Sequence, residues 1–464
     1  MRITRKISPK KCEYRLIKRT RCDIMVQTEG GMSMERKIYK DLVAWKNSSD
    51  RKPLILQGAR QVGKTYIVNY FAGKEYSNSV YCNFEKDKGF HDFFKDLTPA
   101  TIIKKLALYK RKEIFPKNTL IIFDEIQACP EAITSLKYFN EEANNYHIIA
   151  LGSLLGVSVN RGNFSFPVGK VQLMTLYPLD FEEYLMARGE QGLIDLIREC
   201  YERDAPLDSA FHERALDYYK EYLFVGGMPE AVEEYEKNHN PELVRIIQQT
   251  ILESYLNDMG KYNKQSEIPK TRIVYKNIST QLAKENKKFQ YKNIKHGGRA
   301  SEFEGAIEWL CLAGIASQNY RIEQIMLPLN AYRSLSDFKF YMNDVGLCGA
   351  SQDIHYEDIL GENPLFDNFK GGLTENYVFN QLTINRLSLY YWTSGSQAEV
   401  DFITRIGDDI IPIEAKAKIN TRSRSLGVYV DRYKPAYSIR VSQKNFGFEN
   451  NIKSVPLYAT FCIV

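Results

Sequence analysis

No stretch of the 464 residues approaches the roughly 18 to 20 consecutive apolar residues that a bilayer-spanning helix needs, because charges interrupt every apolar run. A helical membrane span is excluded on that ground. The first residues are basic but lack the apolar centre and small-residue cleavage site of a secretory signal, so the expected location is the cytoplasm. Cysteine pairs are missing too: Cys12, Cys22, Cys82, Cys129, Cys200, Cys311, Cys348 and Cys462 are scattered, with neither a CxxC pair nor histidines at zinc-ligand spacing. They read as reduced thiols.

Charge of one sign is scarce once the first residues are set aside. Residues 1–31 hold nine Lys or Arg against three acids, which accounts for the whole net charge of +6, and the remainder carries 54 of each. The overall balance therefore says nothing about partners. We read residues 1–33 as a basic, disordered extension; the alternatives are a nucleic-acid-binding arm, or translation that begins at Met32 or Met34. With 44% hydrophobic residues the chain can fill two to four domains.

What is present begins with Pro53-Leu-Ile-Leu-Gln57, a short apolar run suited to a buried parallel strand, which ends at Gly58-Ala59-Arg60-Gln61-Val62-Gly63-Lys64-Thr65. This is a complete GxxxxGKT loop. Its glycines let backbone amides converge on nucleotide phosphates, Lys64 reaches the β and γ oxygens, and the Thr65 hydroxyl ligates Mg. A helix is expected from Thr65 to Phe71. Thr119-Leu-Ile-Ile-Phe123 forms another strand and delivers Asp124 and Glu125 at its C-terminal end, where open α/β sheets place their ligands. In this Walker B form Asp124 binds Mg through water, and Glu125 orients and deprotonates the attacking water. Strands are also expected at Ser79 to Phe84 and at His147 to Leu151, the latter leading to Ser153 as a sensor of the γ-phosphate. Strands and helices that alternate in this way give a doubly wound parallel sheet.

Gly-Ala-Arg-Gln-Val-Gly-Lys-Thr, Phe-Asp-Glu-Ile-Gln, Leu-Gly-Ser-Leu-Leu, Ser165-Phe-Pro-Val-Gly169 and Tyr222-Leu-Phe-Val-Gly-Gly-Met-Pro-Glu230 follow one another in this order. Together they resemble a bacterial and archaeal family of AAA-type P-loop ATPases that carry a C-terminal domain similar to restriction endonucleases. The resemblance runs from about residue 34 to the end. It implies an ATPase core at 34–205, a helical lid at 206–262, a winged-helix-like region at 263–328 and a nuclease-like α/β domain at 329–464. It also implies an arginine finger from a neighbouring subunit, hence a homo-oligomer, with Arg161 as the candidate.

In the lid, Leu216, Tyr219, Tyr222 and Leu223 fall at helical spacing before Gly226 and Gly227. In the winged-helix-like region, Ile278 to Ala283 is expected as the second helix of a helix-turn-helix, and a recognition helix starts near Ser301. Lys284, Lys287, Lys288, Lys292, Lys295 and Arg299 form a basic patch suited to the phosphates of DNA or RNA, whereas Glu302, Glu304 and Glu308 on the recognition helix favour a protein partner.

Farther on, Glu399 to Arg405 and Ile410 to Lys416 alternate as strands around a turn at Gly407-Asp408, so a hairpin is expected with paired residues summing to 815. Asp401 then faces Glu414. Two carboxylates about 5 Å apart call for a cation, and Lys416 projects from the same face as Glu414. Pro412 marks the second strand as a candidate edge. Asp401, Glu414 and Lys416 resemble the core of the PD-(D/E)xK nucleases, and Glu375 matches their upstream helical acid. The resemblance implies that Glu375, Asp401 and Glu414 hold a second Mg or Mn, with Lys416 assisting catalysis. Two outputs of ATP hydrolysis stay open at this point: metal-dependent nucleic-acid cleavage, or a nucleotide-controlled switch whose C-terminal domain binds a partner without cutting it.

Overall fold

Short apolar runs bounded by turn residues become four parallel strands, β1 (Leu54–Gln57), β2 (Asn78–Asn83), β3 (Thr119–Asp124) and β4 (His147–Gly152). They are the four expected ones. A fifth strand, β5 (Gln172–Thr175), was not foreseen, because Gln172, Leu173 and Thr175 are exposed and present no apolar pattern. The sheet runs β2-β3-β4-β1-β5, all parallel, with β3 and β4 buried along their whole length. Helices Lys64–Glu75, Pro99–Lys110 and Pro130–Glu142 supply crossovers, the last two opening with a proline whose missing N–H would have had no helical partner.

The computed structural model describes residues 34–153, 156–157, 166–284, 287–361, 366–395, 398–418 and 424–464. The extension at 1–33, Arg161, Ser165, Cys12 and Cys22 lie outside them. Residues 34–464 make one compact unit, and a single apolar cluster runs from Leu42 through the lid to Ile463. The six described cysteines are free thiols. Among the described residues no helix is long and apolar enough to cross a membrane.

The segment expected as a lid holds helices Ser209–Val225, Pro229–Asn238 and Pro241–Tyr262. Tyr219, Tyr222 and Leu223 are buried, as their spacing predicts. Gly226 ends the first helix with φ 72°, and a Cβ on Gly227 would lie 2.0 Å from the Leu179 carbonyl oxygen, so these glycines permit a close backbone crossing. The Gly227 amide donates to Asp344 Oδ2 at 2.7 Å.

The middle of the chain departs from expectation. Ile278 to Ala283 is not a separate helix but the end of one helix, Ile268–Leu282, with Ala283 as its cap, because nothing between Pro269 and Leu282 breaks the helical period. The acidic helix is present as Ala300–Leu312, with Glu304 and Glu308 exposed. The wing does not stand free. Strands β6 (Ala316–Ile322) and β7 (Arg333–Met342) form an antiparallel hairpin that joins the C-terminal sheet through β6, so the expected boundary at 328/329 falls inside one hairpin.

That sheet adds β8 (Tyr390–Thr393), β9 (Glu399–Ile406), β10 (Asp409–Ala415), β11 (Ser438–Ser442), β12 (Gly447–Glu449) and β13 (Ile452–Pro456), in the order β12-β13-β11-β10-β9-β8-β6-β7. Within it lies a helix, Asp367–Ile384, then three antiparallel strands β8, β9 and β10, then helix Arg424–Tyr433 and β11 parallel to β10. Pro412 does not mark an edge. β10 is flanked on both sides, and its pairing with β11 starts at Ile413, one residue past the proline that has no N–H to give.

Candidate functional site

The loop after β1 takes its shape from backbone conformations that side chains resist. Gly58 has φ 150°, Gln61 66° and Gly63 91°, and a Cβ on Gly58 would lie 2.1 Å from the Leu176 carbonyl oxygen. Helix Lys64–Glu75 begins directly after Gly63, which points its first N–H groups at the loop, the arrangement that favours phosphate. Lys64 folds over the loop, donating to the carbonyls of Gly58 at 3.0 Å and Ala59 at 2.7 Å. Burial pushes its ammonium down to about 8, although Glu125 and Asp124 pull the other way. Arg60 turns away to pair with Asp258 of the lid, and Arg36 braces the loop by donating to the Val62 carbonyl at 3.1 Å.

The parallel sheet carries the acids to the same place. Thr65 Oγ1 donates to Asp124 Oδ2 at 3.3 Å, joined there by Asn83 Nδ2 at 3.4 Å and by the Tyr81 hydroxyl. A hydroxyl and a carboxylate so close, on the helix start and the end of β3, are a hard oxygen donor set that fits Mg. Glu125 holds a left-handed backbone, φ 50°, which is uncommon for a residue with a side chain and is found where surrounding structure enforces it. Its carboxylate accepts from Ser153 Oγ at 3.3 Å and from Gln127. Ser153 therefore touches the acid that was to activate water. Ala59 and Val62 are buried parts of the loop.

Tyr81, Asn83, Gln127, Asp258 and Arg36 were missed by sequence reasoning. Only Gln127 sat in a motif that was singled out; Tyr81 and Asn83 meet the site through sheet order, Asp258 through the packing of helix Pro241–Tyr262 and Arg36 from just before the helix Ile38–Asn47.

Residues 50–185 match the family model described as an AAA domain. The AAA module therefore holds the whole loop, Asp124, Glu125 and Ser153. Residues 216–358 and 370–460 match two further models, both described as domains of unknown function (DUF8612 and DUF4143). None of the curated proteins matches the chain. Among solved structures, the Aeropyrum pernix ORC2 protein in ADPNP-ADP complexes is similar over 68% of this chain and 90% of its own, at 12% identity and a TM-score of 0.30. The Thermotoga maritima RuvB Holliday junction branch migration motor is similar over 61% and 90%, at 13% identity and a TM-score of 0.28.

Beyond the AAA module, β9 and β10 pair Ile406 with Asp409 and Phe402 with Ile413, the expected register, which sets Asp401 opposite Glu414. Asp401 Oδ2 accepts from the Ala415 amide at 3.0 Å, and Lys416 Nζ lies 2.8 Å from Glu414 Oε1. Glu375 on helix Asp367–Ile384 joins them through a residue that the sequence reading passed over, Lys339 of β7. Its ammonium, fully buried, lies 2.7 Å from Glu375, 2.5 Å from Glu399 and 3.6 Å from Asp401. Lys287 pairs with Glu375 as well, and the Tyr341 hydroxyl donates to it at 2.5 Å.

Burial by itself would raise the Glu375 carboxyl, but the Lys287 and Lys339 ammonium groups hold it well below the usual carboxylate range. Asp401 is pushed up to about 6 by burial and by the neighbouring Glu375 charge. Lysines thus stand beside each acid of the expected second metal set, Lys287 and Lys339 at Glu375, Lys339 at Asp401 and Lys416 at Glu414. Among the described residues no group of three or more His, Cys, Asp or Glu side chains is placed to hold a metal ion. The ammonium groups of Lys287, Lys339 and Lys416 offset part of the negative charge for which a divalent ion was invoked.

The basic patch is likewise partly spent, because Lys287 pairs with Glu375, Lys288 with Asp337 and Lys295 with Glu302.

Proposed function

We propose that this chain binds ATP with Mg and hydrolyses it at the AAA module, and that the nucleotide state sets how the C-terminal domain engages a partner. The observation that carries the first part is the convergence of Lys64, Thr65, Asp124 and Glu125 beneath one strained loop. In this reading the amides of Gly58 to Thr65 and the Lys64 ammonium hold the β and γ phosphates, and Thr65 and Asp124 hold Mg, which supplies charge neutralisation to the phosphoryl group. Glu125 takes the proton of the attacking water, with Ser153 and Gln127 fixing its orientation. The test is phosphate release: Glu125→Gln is expected to keep ATP binding and lose turnover, and unchanged turnover refutes the assignment.

The C-terminal output is a switch rather than a cut, because the Glu375 and Asp401 carboxylates are already engaged by lysines. The helix, three antiparallel strands, helix and parallel strand support a nuclease-like fold, and a fold does not by itself supply activity. Exposed Glu304 and Glu308, together with the paired lysines, favour a protein partner over DNA or RNA. Pull-down with ATP against ADP, in wild type and Lys64→Ala, should give a partner set that changes with nucleotide. Products from DNA or RNA in Mg or Mn that vanish in Asp401→Ala would overturn the non-cutting reading.

A further inference from the structure

The C-terminal cluster can be counted as charges. Glu375, Glu399, Asp401 and Glu414 supply four carboxylates, and Lys287, Lys339 and Lys416 supply three ammonium groups, each within ion-pair distance of at least one of them. Removing Lys339 would leave a deficit of two positive charges in a buried place, where uncompensated carboxylates are strongly unfavourable. A divalent cation carries that charge.

A second observation, independent of the acids, concerns a neutral oxygen. Asn319 of β6 is directly opposite Lys339 of β7, so the two side chains project from the same face of the sheet. Asn319 is fully buried, its amide nitrogen donates to the Asp401 main-chain oxygen at 3.4 Å, and its side-chain oxygen has no hydrogen-bond partner. A buried amide oxygen without a donor is costly in a protein interior, yet it is an ordinary ligand for a hard cation. Lys339 also lies beneath the ring of Tyr391, 5.2 Å from its centroid, which holds the ammonium in place by a cation–π contact.

We propose that the Lys339 ammonium stands where a divalent cation would stand in this constellation, and that replacing Lys339 by a neutral side chain turns the cluster into a divalent-cation site built from Glu375, Asp401 and the Asn319 side-chain oxygen. As folded, the domain is then metal-independent, and its acids serve the packing of β7 on β9 and on helix Asp367–Ile384. The inference is separate from ATP hydrolysis and stands or falls without it.

The experiment uses the full chain, free of nucleotide, in an Asp124→Asn background so that the AAA module contributes no metal signal. Mn ion binding is read by electron paramagnetic resonance and by the change in melting temperature. Without further change no bound Mn is expected, and adding Asp401→Asn should alter nothing. With Lys339→Met, one Mn ion should bind per chain, roughly tenfold or more above the detection limit set by the protein that retains Lys339. Adding Asp401→Asn or Asn319→Ala to that variant should weaken that binding. Binding of Mn with Lys339 in place, abolished by Asp401→Asn, overturns the proposal. So does a folded Lys339→Met variant that binds none. If Lys339→Met folds only with Mn present, the proposal is supported. If it folds in neither condition, the arm that retains Lys339 decides.

Discussion

Lys64 and Lys339 are both buried lysines with carboxylates nearby, and the two ends of the molecule treat them in opposite ways. Lys64 donates to two backbone carbonyls, and burial brings its ammonium down to about 8. Lys339 lies among Glu375, Glu399 and Asp401, whose charges override burial and hold it well above the usual lysine range. A buried cation bonded to neutral groups is poised for an anionic ligand, whereas one bonded to carboxylates is already satisfied. The first arrangement suits a site that works by binding phosphate. The second suits a structural element.

The largest effect expected from that contrast is on chemistry. Lys64→Ala should lower ATP turnover by about 100-fold or more while leaving the melting temperature nearly unchanged, read by phosphate release and calorimetry. Lys339→Met should do the reverse: without divalent cations it should cost roughly 3 to 5 kcal/mol of stability in urea denaturation, because it strands buried carboxylates, and Glu375→Gln added to it should recover part of the loss. Equal stability losses for both variants would erase the distinction.

A smaller effect lies in pH. Asp344, whose carboxylate accepts from the amides of Gly227 and Leu347, is pushed up to about 6 by burial, as is Asp401. An acid whose folded value is raised binds its proton more tightly when folded, so it favours folding below about 6 and opposes it above. Stability should therefore fall as pH rises from about 4 to about 6, by about 3 kcal/mol at most for each group. Asp344→Asn should flatten that fall, measured as urea midpoints across the range. The smallest change is expected for Lys295→Ala. Its exposed pair with Glu302 should contribute less than about 0.5 kcal/mol.

Most of the nucleotide end was legible in the chain because it is local. Gly58 to Thr65 are consecutive, and the apolar runs before them and before Asp124 are unbroken, so strand, loop and acid follow from neighbours in sequence. The exposed edge strand β5 was not legible, since nothing in Gln172 to Thr175 alternates or clusters. The β9–β10 register was also readable, because a turn at Gly407-Asp408 leaves one way to pair the flanking residues. Lys339 was not. In Phe338-Lys-Phe-Tyr341 it reads as one charge in an aromatic strand, and its three carboxylates come from a helix and a strand 36 to 62 positions farther along.

By itself, then, the sequence determined which residues could meet phosphate and which hairpin would set Asp401 against Glu414, because both depend on backbone geometry over a few residues. Only the tertiary structure decided that β6 and β7 join the C-terminal sheet rather than a separate wing. It also decided that an ammonium lies among those acids, because strand order and helix packing bring distant charges within a few ångströms and no local pattern encodes that approach.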